Sequence, residues 1–277
     1  MLGLLLLLQV SASCLWLGHS EVVEAFLGPC ALFFYEKTPP RGALRPKNAA
    51  RICQFYDNKY RFATLYDRNN RIPVYSAYIC KPGPGDRDQP WLVEPQLIDQ
   101  SYHKYMEGED SIIREYKIKS QQIAKNQAID KDYSEALFLE RGHLCPSGHH
   151  TGDDKNATFT LTNIVPQYTI LNQGAWHDYE NTVAQESQDC DTTYVLTGAV
   201  PGKTYISDGR VNVPSHIWSA ACCVRGRQPI NAWGAIAENK KDMNVVTRLN
   251  LKRLEKSLSD LYEGKDVTLF KNSCSQQ

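Results

Sequence analysis

The sequence carries no excess of charge: lysine plus arginine and aspartate plus glutamate each number 31. No global positive field draws the chain to nucleic acid, which argues against a protein that holds DNA by bulk charge alone. An enzyme whose positive charge sits on a bound metal is untouched by that argument. There is no internal repeat and no low-complexity block, so solenoid and biased-composition classes fall away. No two cysteines stand in the Cys-x-x-Cys spacing of a structural zinc site. Lysine, arginine, aspartate and glutamate are absent from the first twenty residues, which open Met1-Leu2-Gly3-Leu4 and run on in leucine to Gln9. That run is too short and too interrupted for the roughly 20 residues of a membrane span. It fits a signal peptide, with Gly18 and Ser20 as small residues before a cut ahead of Glu21. The expectation is therefore a leader over 1–20, a single domain over 21–277, no membrane span, and a secreted, extracellular protein.

What is present supports that compartment. Removing Cys14 leaves eight cysteines, an even number that reads as disulfides after a leader. Cys145 is expected among them, and adjacent Cys222 and Cys223 are expected to bond elsewhere rather than to each other. Asn156-Ala157-Thr158 is a glycosylation sequon. With 42% apolar and 10% aromatic residues, the chain can build an ordinary core.

Alternation over Tyr60 to Tyr66 and Ile72 to Ile79 predicts a hairpin around Asp67-Arg68-Asn69-Asn70. Phe159 to Val165, Tyr194 to Val200 and Ala232 to Ala237 read as strands. Asn172 to Ser187 and Leu249 to Leu261 read as helices, the second with leucines at core spacing. Strands and helices mix without a βαβ rhythm, so the class is α+β.

The block that offers chemistry begins Glu140-Arg141-Gly142-His143-Leu144-Cys145-Pro146. It continues with Leu161-Thr162-Asn163-Ile164, Leu171-Asn172-Gln173-Gly174-Ala175-Trp176 and Glu180. A histidine can take a proton from water near neutral pH. An amide oxygen and a carboxylate are hard ligands suited to Mg²⁺. Were Asn172 to begin a helix, Glu180 would lie eight residues on, rotated by about 80°, on the same flank. Arg141 supplies a fixed cation for a phosphate oxygen.

This block resembles the signature of the DNA/RNA non-specific endonucleases of the His-Me finger group, Asp-Arg-Gly-His followed by an Asn-Gln-Gly-x-Trp helix. Within that group it is most similar to the secreted, cysteine-rich endonuclease domain-containing 1-like branch, which carries Glu-Arg-Gly-His-Leu. The resemblance runs from about Phe55 to Phe270 and includes Thr197-Gly198 and the later Pro214 to Trp218 stretch. It implies a ββα-metal (His-Me finger) nuclease fold, with a central, mostly antiparallel sheet flanked by helices. It also implies hydrolysis of phosphodiesters in DNA and/or RNA with Mg²⁺ or another divalent cation such as Mn²⁺. His143 would be the general base, Asn172 the metal ligand, and Glu180 the holder of the metal's water. Arg141 would contact the phosphate, and Arg87, in the Gly85 to Trp91 loop, would stabilise the phosphorane. The chain departs from the pattern at Glu140, a methylene longer than the usual aspartate, and at Ala184, where bacterial relatives carry arginine. Those departures leave open a weakened relative that binds nucleic acid or a protein partner. A zinc site on Cys145, His149 and His150 is a third reading of the same residues.

Overall fold

The computed structural model describes residues 21–85, 90–271 and Cys274. The expected leader and Arg87 lie outside the described residues. Eight strands form one sheet: β1 (Val22–Val23), β2 (Ala49–Tyr56), β3 (Lys59–Asp67), β4 (Ile72–Ile79), β7 (Thr192–Val200), β8 (His216–Arg225), β9 (Gln228–Glu238) and β10 (Thr247–Leu249). They lie side by side in that order, and every pairing is antiparallel. Between β4 and β7 the chain leaves the sheet. That excursion carries helix α1 (Glu109–Tyr116), strand β5 (Leu139–His143), strand β6 (Ile164–Tyr168), the single turn α2 (Thr169–Asn172) and helix α3 (Ala175–Glu186). Helix α4 (Leu251–Leu261) follows β10.

Period-two alternation sends each strand's side chains to two different layers. On β8, Ile217, Ala221 and Cys223 join the layer that contains Leu144, Ile164 and, from α3, Trp176, Tyr179 and Val183. Trp218, Ala220 and Cys222 join the opposite layer, against Leu251, Leu254 and Leu258 of α4. The α4 leucines recur at helical spacing and the helix is capped by Asn250, whose side chain accepts from the Arg253 amide at 2.9 Å. The sheet is thus covered on both faces, with the candidate site in the layer that contains α3.

The 60–79 hairpin forms as its alternation predicts. Two expectations change. The stretch from Phe159 is not a strand until Ile164, because Asn163 turns its amide onto the backbone oxygens of Cys145 and Thr158, closing a loop. The helix expected from Asn172 begins at Ala175 instead. Gly174 has φ −106° and ψ −119°, outside the helical region, and a Cβ there would collide with the Ile170 carbonyl.

The cysteines form Cys30–Cys53, Cys190–Cys223 and Cys222–Cys274. Cys222 and Cys223 therefore bond elsewhere, as their adjacency requires. Cys145 corrects the expectation of a disulfide: it and Cys80 are buried free thiols.

Candidate active site

Antiparallel β5 and β6, followed by α2 and α3, put the motif residues on one small module. Glu140 pairs with Gln167, Arg141 with Pro166, Gly142 with Val165 and His143 with Ile164. Gly142 is required by close approach, since a Cβ there would overlap the Gln167 side chain from the neighbouring strand. Residues 141 and 143 share a face of β5 and meet the same indole. The Arg141 guanidinium lies 5.3 Å from the Trp91 ring centroid, and the His143 ring lies 5.6 Å from it. Phe159 closes the other side of His143, edge-on at 5.0 Å. These two aromatics limit how the imidazole can turn.

Glu140 points the other way and accepts two hydrogen bonds. Asn172 Nδ2 donates to Oε2 at 2.8 Å and Gln173 Nε2 donates to Oε1 at 2.6 Å. The extra methylene of Glu140 helps it reach the amides of Asn172, which ends α2, and Gln173, which caps it. Because the NH₂ of Asn172 is committed to a carboxylate, its Oδ1 must face the opposite direction. No hydrogen bond to that oxygen occurs among the described residues, so the amide is presented as a hard oxygen ligand of the kind a hydrated divalent cation takes.

Glu180 stands on α3, a separate segment from Asn172, so the single-helix geometry expected for the pair does not occur. Burial pushes its carboxyl up to about 8, with the Trp176 side chain opposing the shift. A nearby cation would restore its charged form, so the donor chemistry of Asn172 and Glu180 fits a divalent metal. Arg141 donates from Nη2 to Asp130 Oδ1 at 2.7 Å and to the Asp130 carbonyl at 3.0 Å. A groove lined by Trp91, Gly108, Asp110, Ser111, Arg114 and Asp130 opens beside it.

Behind His143 lies a buried polar ring. The Glu94 carboxylate accepts from the hydroxyls of Thr160 and Thr162, both at 2.9 Å. Gln54 joins Thr162 to Thr64, Thr64 meets Ser76, and Ser76 donates to Asn163 Oδ1 at 2.8 Å. Asn163 holds both the amide and the carbonyl of Cys145, two residues past His143, at 2.9 Å. Asn163 stands inside the motif with little local mark of this task, and Trp91 and Asp130, the partners of Arg141, lie outside the motif. An asparagine before the apolar Ile164-Val165 pair is the signal that could have found the first, since a buried amide must satisfy four groups.

The zinc reading of Cys145, His149 and His150 does not hold. His149 donates from Nε2 to the Glu180 carbonyl at 2.8 Å, so its Nδ1 accepts from the Tyr78 hydroxyl at 3.0 Å, and neither nitrogen is left for a metal. His150 Nε2 meets Cys145 Sγ at 3.0 Å. Burial pushes the pKa of His149 down to about 4 and that of His150 to about 3, the latter helped by His149. A histidine pKa lowered by folding contributes stability above pH 6.5, and that contribution is lost as pH falls toward the folded value. The stability gap between wild type and His150→Gln is therefore expected to narrow below pH 6.5, by up to about 1.4 kcal/mol per pH unit. Urea unfolding of both proteins at pH 7.5 and pH 5 measures it; an unchanged gap rules out a neutral buried His150.

Residues 40–274 match the family model described as DNA/RNA non-specific endonuclease. The Endonuclease domain-containing 1 protein of Homo sapiens is 34% identical over 261 residues, covering 91% of this chain and 49% of that protein. Its Mus musculus counterpart is 32% identical over 262 residues, with 91% and 49% covered. The chain spans about half the length of these relatives. Mitochondrial Endonuclease G of Homo sapiens is 28% identical over 161 residues, 51% of each chain. A crystal structure of an EndoG/EndoGI complex superposes with a TM-score of 0.57 at 18% identity, covering 86% of this chain and 91% of that one, and shares the α+β fold described above. On a model match that takes in all of the β5–α3 module and most of the sheet, the chain belongs to the DNA/RNA non-specific endonuclease family.

Proposed function

We propose that this chain is a secreted, metal-dependent endonuclease that hydrolyses internal phosphodiester bonds of DNA and/or RNA with little sequence preference. Glu140 carries the most weight: by holding the NH₂ of Asn172 it leaves the amide oxygen free as a ligand, on the same module as His143. His143 takes a proton from the attacking water, the new P–O bond forms, and the 3′ oxygen departs to leave a 5′ phosphate. Asn172 and Glu180 would hold the divalent cation, which supplies charge neutralisation at phosphorus and at the leaving oxygen. Arg141, and with it Arg87, would grip phosphate oxygens rather than base edges, which accounts for weak sequence discrimination. The three disulfides and the buried core are consistent with an oxidising compartment.

One observation favours the weakened-relative reading: Arg141 is already paired with Asp130. A substrate phosphate must compete with that carboxylate. A single assay separates the two. Residues 21–277, produced through a secretory route, are offered plasmid DNA and single-stranded RNA with Mg²⁺, with Mn²⁺, and with EDTA. Nicking that stops with EDTA and returns with metal supports the nuclease. A folded protein that cleaves neither substrate with any divalent ion sinks it and leaves a nucleic-acid or protein binder.

A further inference from the structure

Away from the β5–α3 module, one group of side chains converges without forming the bonds its chemistry demands. His103 Nε2 lies 3.1 Å from Glu107 Oε2 and 3.5 Å from Glu115 Oε2. One ligand atom from each of the three residues falls within 4.8 Å of the others. Glu107 sits in the short strand Glu107–Gly108, paired with Leu92–Val93, and Glu115 sits in the last turn of α1. Three of these polar atoms, both His103 ring nitrogens and Glu107 Oε2, are shielded from water, yet none makes a properly directed hydrogen bond. Buried polar atoms left so are costly unless something else satisfies them.

The imidazole is held in place by its surroundings. His103 stacks on Tyr105 at 3.8 Å with the planes 5° apart, and its backbone amide donates to the Tyr116 hydroxyl at 3.0 Å. Tyr116 is itself stacked on Tyr102 at 3.6 Å. Three tyrosine rings thus surround the imidazole whose nitrogen faces the two carboxylates, Tyr105 and Tyr116 directly and Tyr102 through Tyr116.

We propose that His103, Glu107 and Glu115 form a second metal site, one that takes Zn²⁺. One imidazole and two carboxylates make a three-residue set that zinc completes with water, whereas Ca²⁺ and Mg²⁺ take oxygen ligands and leave histidine aside. The site joins α1 to the Leu92–Val93 hairpin, directly after Trp91. An ion there braces the wall of the groove formed by Trp91, Gly108, Asp110, Ser111 and Arg114. The competing account is a protonated His103 between two carboxylates with no ion, and the two differ in what they bind. The assignment does not depend on nuclease activity.

The test is Zn²⁺ titration of the chelator-stripped, disulfide-intact chain by calorimetry at pH 7.5, with Co²⁺ absorption as a direct probe of the ligand set. The expected result is a zinc-binding event that wild type and Asn172→Ala share, with the same affinity within about twofold. Glu115→Gln should weaken it by at least ~10-fold and alter the Co²⁺ spectrum. Near-UV dichroism checks folding of the variant, and His103→Gln replaces it if Glu115→Gln fails that check. No binding by wild type overturns the assignment, and so does binding that Asn172→Ala abolishes and the two cluster variants leave intact.

Discussion

His143→Ala is expected to lower phosphodiester turnover by about 10³-fold, within the range that removing a positioned general base costs. The loss should fall on kcat, with KM little changed, since the proposed role sets the ring to work on the water and not on the phosphate. Folding should survive. The ring is half-buried, and the backbone that carries it is held independently, through the pairing of His143 with Ile164 and the 3.0 Å bond from the Leu144 amide to the Asn163 carbonyl. Added imidazole should restore part of the rate, since the space between Trp91 and Phe159 is shaped for that ring. Steady-state kinetics on a labelled oligonucleotide, with circular dichroism on the same samples, reads all three. Retention of more than about a tenth of the wild-type kcat would mean that another group takes the proton.

Asn163→Ala is expected to destabilise the chain by about 3–5 kcal/mol, a large part of the 5–15 kcal/mol that holds a typical domain together. The amide is fully buried and serves four partners: Ser76, the Thr158 carbonyl, and both backbone groups of Cys145. Truncation leaves the Thr158 carbonyl and both backbone groups of Cys145 without that bond in the interior, while Ser76 keeps only its contact with Thr64. Asn163→Asp should be no milder, because the two carbonyls would then face a carboxylate in place of an NH₂. The urea midpoint gives the answer, and a shift worth less than about 1 kcal/mol would show that the loop after His143 is held by something else.

The parts of this architecture governed by local pattern were readable in advance. The 60–79 hairpin follows from its alternation, and α4 from its spaced leucines, although Leu249 ends β10 and the helix starts only at Leu251, after the capping Asn250. The β5–β6–α3 module was reached through resemblance, since no periodicity marks a five-residue strand such as 139–143. What stayed hidden depends on partners distant in sequence. Asn172 looked like the first residue of a helix because only the conformation of Gly174 separates it from Ala175. Cys145 looked like half of a disulfide because parity was counted without knowing that residue 150 places an imidazole against its sulfur. Arg141 looked free because Asp130 lies eleven residues away, outside the motif.

Neighbouring positions on a strand face opposite ways, so Cys222 and Cys223 send one disulfide into each layer of the molecule. The layer behind α4 is stapled to β8 through Cys274, and the layer of the candidate site through Cys190. A single peptide bond in mid-sheet therefore links two covalent ties that act in different halves of the structure. Opening one half while the other stays intact would have to pull on that shared point, which suppresses partial melting and favours loss of the whole fold in one cooperative step. A reductant that reaches both bridges would uncouple the halves, so that protection of α3 amides against hydrogen exchange no longer tracks that of α4.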